Sequence, residues 1–109
     1  MHMLDWNAYR KQLGATVGEM AKLSPDTVRG YTSLGGLLTA KTRELIALAA
    51  AISLRCDGCI AVHTAEARKL GATKEEIAEA LGVAISVNAG AALVYASRTL
   101  DAYGAAGEI

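Results

Sequence analysis

The chain has 109 residues, a formal net charge of zero and a pI near 6.7, with 52% apolar and 20% charged residues. That length suits one domain, residues 1–109, and is too short for two. The balanced charge gives no reason to expect nucleic acid or an acidic lipid surface as a partner. The longest uncharged apolar run, residues 45–54, is about half of a bilayer span, so no membrane partner is expected.

Asp5 is a candidate N-cap for a first helix over residues 4–22, with Trp6, Tyr9, Leu13, Val17 and Met20 at helical spacing. Ser24-Pro25-Asp26 supplies a cap, a proline at the first helical position and an acid in the first turn of a second helix. That helix is expected to reach about residue 34 and to stop at Gly35-Gly36. A third helix should start near Thr39 or Ala40 and end at Leu54. It is apolar almost all round, and in so short a chain part of its cover must come from another subunit. A fourth helix over 57–70 is closed by Gly71 after Arg68 and Lys69. Thr73-Lys74-Glu75-Glu76 is a capping box for a fifth, with Ile77, Leu81, Ala84 and Ile85 facing inward. The pattern weakens around Asn88-Ala89-Gly90, so a break is expected before a sixth helix over about 91–103, followed by a frayed tail from Gly104. No segment has the strand period, which leaves an all-α bundle of about six helices.

Residues 44–63 carry the chemistry: Glu44, eleven residues, Cys56, two residues, Cys59, three residues, His63. On a helix, Cys59 and His63 stack one turn apart, so an imidazole comes within reach of a thiol. Cys56 falls at or just before the helix start, where unpaired N–H groups favour a thiolate. An unperturbed thiol is only about 3% ionised at pH 7, and either influence raises that fraction. Glu44, inside an apolar helix, needs a partner. His63 is the natural one, because a carboxylate on one ring nitrogen orients the other toward the thiol. Cys59 would then attack and Cys56 resolve, giving a sulfenic acid or mixed disulfide and then a Cys56–Cys59 disulfide.

These residues resemble the core of the alkylhydroperoxidase D-like branch of the carboxymuconolactone decarboxylase superfamily, whose signature is Glu, eleven, Cys, two, Cys, three, His. The likeness extends to GGLLTAKTREL at 35–45 and LGATKEEIAEALGVA at 70–84, and so covers a core over about residues 24–103. It implies an all-helical fold, self-association as a homo-oligomer (a trimer or a ring-like hexamer), and cysteine-dependent reduction of hydroperoxides or disulfides. The catalytic residues so implied are Glu44, Cys56, Cys59 and His63, with no metal or organic cofactor, and with electrons from a reductant protein or small thiol. One departure stands out: Gly58 occupies the position where the founding pattern has a second histidine.

Other readings stay open. Cys56, Cys59, His63 and Glu44 are all possible zinc ligands, although structural zinc usually draws on a second cysteine or histidine knuckle, absent here. His63 and Glu44 could act as acid and base in a non-redox, decarboxylase-like enzyme, although that branch generally lacks the cysteine pair. A thiol-based oxidant sensor is a third reading. Lys41, Arg43 and Arg55 read as a solvated rim, and Trp6, Tyr9 and Tyr31 as packing. Two cysteines at this spacing, without a secretory leader pattern, suit a cytoplasmic redox site better than a secreted disulfide scaffold.

Overall fold

The computed structural model describes residues 2–33 and 36–108. Five helices follow one another: α1 (Trp6–Leu23), α2 (Pro25–Thr32), α3 (Ala40–Leu54), α4 (Asp57–Lys69) and α5 (Lys74–Ala106). No strand occurs among the described residues. The fold is therefore all-α, with one helix fewer than the six expected.

Local caps explain most of the boundaries. Asp5 accepts the Ala8 N–H at 3.1 Å and starts α1, while Thr39 accepts the Thr42 N–H and starts α3. Ser24 stands at the N-cap position of α2, but its hydroxyl pairs with Thr27 Oγ1 at 2.7 Å instead of capping the backbone. The expected stop of α2 at residues 34 and 35 lies outside the described residues; α2 ends at Thr32. Gly71, at φ 90°, closes α4: its N–H reaches Arg68 O, and the Ala72 N–H reaches Ala67 O. Thr73 and Glu76 form the reciprocal capping box of α5.

The expected break near residue 88 is absent. α5 runs unbroken for 33 residues, roughly 50 Å. Asn88 Nδ2 donates to Ala84 O at 2.7 Å and to Ser53 Oγ at 2.8 Å, so the side chain ties α5 to α3 instead of ending the helix. Gly90 alone costs a helix only about 1 kcal/mol relative to alanine. The tail is likewise helical as far as Ala106.

α3 is the centre of the packing, lying against α4 and α5, while α1 lies against α2 and α4. Among the described residues the buried apolar side chains are Leu48 and Ala51 of α3, Ala61 and Ala67 of α4, and Ala84 of α5. Four of these five are alanines, so the helix backbones approach closely and the core is thin. Trp6, Tyr9 and Leu13 are half-buried on α1, with the two rings edge to face at 6.4 Å. Val17 and Met20, expected inward, are exposed, as is Ile85 on α5. Tyr31, expected to pack, is also exposed. The outer half of α5 leaves Leu93, Val94, Tyr95, Leu100 and Tyr103 largely in solvent. By length and composition α5 could cross a membrane, since residues 80–97 carry no charge. The sequence reading overlooked that stretch.

Candidate active site

The hinge between α3 and α4 builds the site. Arg55 takes the left-handed conformation, φ 56° and ψ 52°, and its N–H bonds Ile52 O, while the next N–H, that of Cys56, bonds Ala51 O at 3.0 Å. This is a helix-terminating turn of the kind usually built on glycine. Nothing in the local pattern announced it, because arginine is not a residue that favours positive φ. Having closed α3, Cys56 immediately opens α4 as its N-cap: its Sγ accepts the Cys59 N–H at 3.1 Å. Two helices are joined through two residues, and the second of them is a redox-capable sulfur.

Cys56 and Cys59 form a disulfide with Cα atoms 5.3 Å apart, inside the span a disulfide bridges. One turn further along α4, His63 Nδ1 lies 2.6 Å from Glu44 Oε2 of α3. Both side chains are mostly shielded, 27% and 18% exposed. With Nδ1 engaged by a carboxylate, the ring's other nitrogen, Nε2, makes no hydrogen bond among the described residues. The structure thus brings together the Glu44–His63 pair and the Cys56–Cys59 pair on adjoining turns of α4. Among the described residues no three His, Cys, Asp or Glu side chains converge as a metal cage.

Gly58, between the two cysteines, lies against α1. A Cβ at this position would stand 3.0 Å from Leu13 Cδ2 and 3.6 Å from the Tyr9 hydroxyl. The room that a larger residue would need is taken by α1, so Gly58 fits tight interhelical packing. Leu13 and Tyr9 at this turn were missed as neighbours of the site, although their apolar spacing marked the correct face of α1.

Lys41, expected in the solvated rim, instead bonds Glu76 Oε2 at 2.6 Å and joins the starts of α3 and α5. That hydrogen bond, with the Thr73 backbone N–H second, holds the Glu76 carboxyl below its usual range.

Fold and site together define an all-α protein whose closed Cys-x-x-Cys pair caps a helix beside a carboxylate–imidazole pair. Residues 22–102 match the model of the carboxymuconolactone decarboxylase family, and the chain belongs to that family. It is 45% identical over 105 residues to an uncharacterised protein of Haemophilus influenzae, covering 91% of this chain and 93% of that one. A carboxymuconolactone decarboxylase family protein from Legionella pneumophila, solved in its apo form, superposes with a TM-score of 0.70 at 36% identity, covering 84% of this chain and 88% of that one. A protein from Methanobacterium thermoautotrophicum gives a TM-score of 0.60, also at 36% identity, covering 76% and 92%.

Proposed function

We propose that the chain is a thiol-dependent peroxidase or disulfide oxidoreductase in which Cys56 and Cys59 cycle between dithiol and disulfide. The observation that carries this reading is the pair joined at the start of α4, one turn from a histidine already oriented by Glu44.

In the reduced protein, His63 Nε2 takes the Cys59 thiol proton. The thiolate attacks the terminal oxygen of a hydroperoxide. An S–O bond forms, the O–O bond breaks, and the leaving alkoxide takes the proton back from His63. Cys56 then attacks the Cys59 sulfenic sulfur, so that the S–S bond forms and the oxygen leaves as water, carrying the Cys56 proton. Two thiols and one hydroperoxide give a disulfide, an alcohol and water. To close the cycle, a thiol of the reductant attacks Cys59 Sγ and expels Cys56; a second reductant thiol then attacks the reductant's sulfur in that mixed disulfide, releasing Cys59 and leaving the reductant as a disulfide. The Cys59 N–H and the helix start favour the charge on the Cys56 sulfur as it leaves.

The test is a thiol count with mass analysis of the reduced protein before and after one equivalent of cumene hydroperoxide. Loss of two thiols and two mass units, much faster than for free cysteine, supports the peroxidase. A rate equal to that of free cysteine overturns it. In that case, rapid exchange with a small disulfide would support the reductase, and failure of both would overturn the redox reading.

We further propose that copies of the chain associate and cover the apolar face of α5. Support comes from its exposed leucines, valine and tyrosines, which form too large an uncovered apolar surface for an isolated chain. Light scattering without detergent should show a trimer or hexamer; a monomer would overturn this assignment.

A further inference from the structure

A groove of 870 Å³ runs between the start of α1 and the outer face of α4. Small-molecule sites span about 300–1,000 Å³. Ile60, Thr64 and Arg68 line it from α4; at about 100° per residue, Thr64 and Arg68 lie about 100–180° around that helix from Cys59 and His63, while Ile60 lies about 60° from His63 at the groove's edge. No residue of the redox site lines it.

Its chemistry is one-sided. Trp6 and Ile60 give it an apolar wall. Arg10, Arg68, the Asn7 amide and the Thr64 hydroxyl are all hydrogen-bond donors, and none makes a hydrogen bond or ion pair among the described residues. Asp5, the one acid in the lining, accepts the Ala8 N–H as the cap of α1. Unused cations and donors beside apolar walls are complementary to an anion with an apolar body. A guanidinium binds a carboxylate through paired N–H donors, and an indole accepts a chain or ring against its face.

We propose that this groove binds an amphipathic carboxylate, with its apolar body against Trp6 and Ile60 and its carboxylate held by Arg10 and Arg68. The site is separate from the redox pair and does not depend on the reading given above. Trp6 is the chain's one tryptophan, so its fluorescence reports on the groove directly.

The experiment titrates the whole protein with decanoate, and in parallel with decanol, following Trp6 emission and the heat of binding. Saturable binding of decanoate is expected, weakened at least about tenfold in Arg10→Ala/Arg68→Ala and for decanol against the wild type. Both arginines are exposed, so the double variant should keep its fold, checked by circular dichroism. Cys56→Ser/Cys59→Ser should bind decanoate like the wild type. The proposal is overturned by no saturable binding in either readout, by undiminished affinity in the arginine variant, by decanol matching decanoate, or by loss of binding with the cysteines.

Discussion

Glu44 Oε2 and His63 Nδ1 meet at 2.6 Å although 19 residues separate them, and this contact pins the middle of α4 to the start of α3. It leaves Nε2 without a hydrogen bond among the described residues. If His63 relays the thiol proton, His63→Ala should slow disulfide formation with cumene hydroperoxide by about 10²-fold or more. Glu44→Gln, which can hold the ring but not balance its charge, should have a smaller effect, about tenfold. Quenched-flow thiol counts on reduced protein read both, and equal rates in wild type and His63→Ala would exclude the relay.

The two sulfurs should behave differently when separated. On the proposed order of attack, Cys59 has no partner in Cys56→Ser, so its sulfenic acid should persist and be trapped by dimedone in about one equivalent. In Cys59→Ser the remaining sulfur caps the helix but lies a turn further from His63, and trapping should be slow. Mass mapping of the adduct decides the order of attack, and faster labelling of Cys56 would reverse the roles.

Much of this site was legible because its signals are local. A capping box and a proline at the first helical position each lie within one turn of the helix they open, as Thr73 with Glu76 shows, and the spacing from Cys56 to His63 covers about two turns of a single helix. The pairing of Glu44 with His63 was reachable because a carboxylate in an apolar helix needs a partner. What escaped was non-local. Asn88 looks like a helix breaker in sequence, and only a serine 35 residues away gives its amide a reason to stay inside the helix. Gly58 read as a missing histidine; that its place is filled by Leu13 and Tyr9 depends on how α1 crosses α4.

Arg55 adopts positive φ without being glycine, which carries a backbone cost of about 1 kcal/mol. Arg55→Gly should therefore raise stability by several tenths to about 1 kcal/mol, after allowing for the extra freedom glycine gives the unfolded chain. Urea unfolding at fixed protein concentration measures it, on oxidised protein so that the disulfide is constant. An unchanged or lower midpoint would show that the arginine side chain contributes more than the turn costs.

Glu76 gives a pH signature. Its carboxyl is held below the usual value of 4.5, chiefly by the Lys41 hydrogen bond and then by the Thr73 N–H. A depressed folded-state value means that the stabilisation is present above the unfolded value and is lost as pH falls through the folded one. Glu76→Gln should thus lower the Tm at pH 7, and the gap to wild type should narrow below about pH 4.5. Lys41→Met should lose most of the same pH-dependent component. A gap that stays constant down to pH 3 would mean that the charge on Glu76 does not matter.

Leu13 and Gly58 should be energetically coupled. A methyl group at position 58 would meet Leu13 Cδ2 at 3.0 Å, closer than ordinary van der Waals contact. Gly58→Ala gains helix propensity, but it must push α1 or rotate Leu13, and overpacking of this kind costs about 1–3 kcal/mol. The single substitution should therefore destabilise by about 1 kcal/mol. Leu13→Ala should destabilise as well, through lost packing. Together they should cost less than their sum, because the new methyl group enters the space that Leu13 vacates, and a double-mutant cycle should give a coupling of about 1 kcal/mol. Zero coupling would mean that α1 does not rest on the Cys-x-x-Cys turn. The redox site would then lack the cover of α1, and the same variants assayed with cumene hydroperoxide would show no change in rate on loosening that contact.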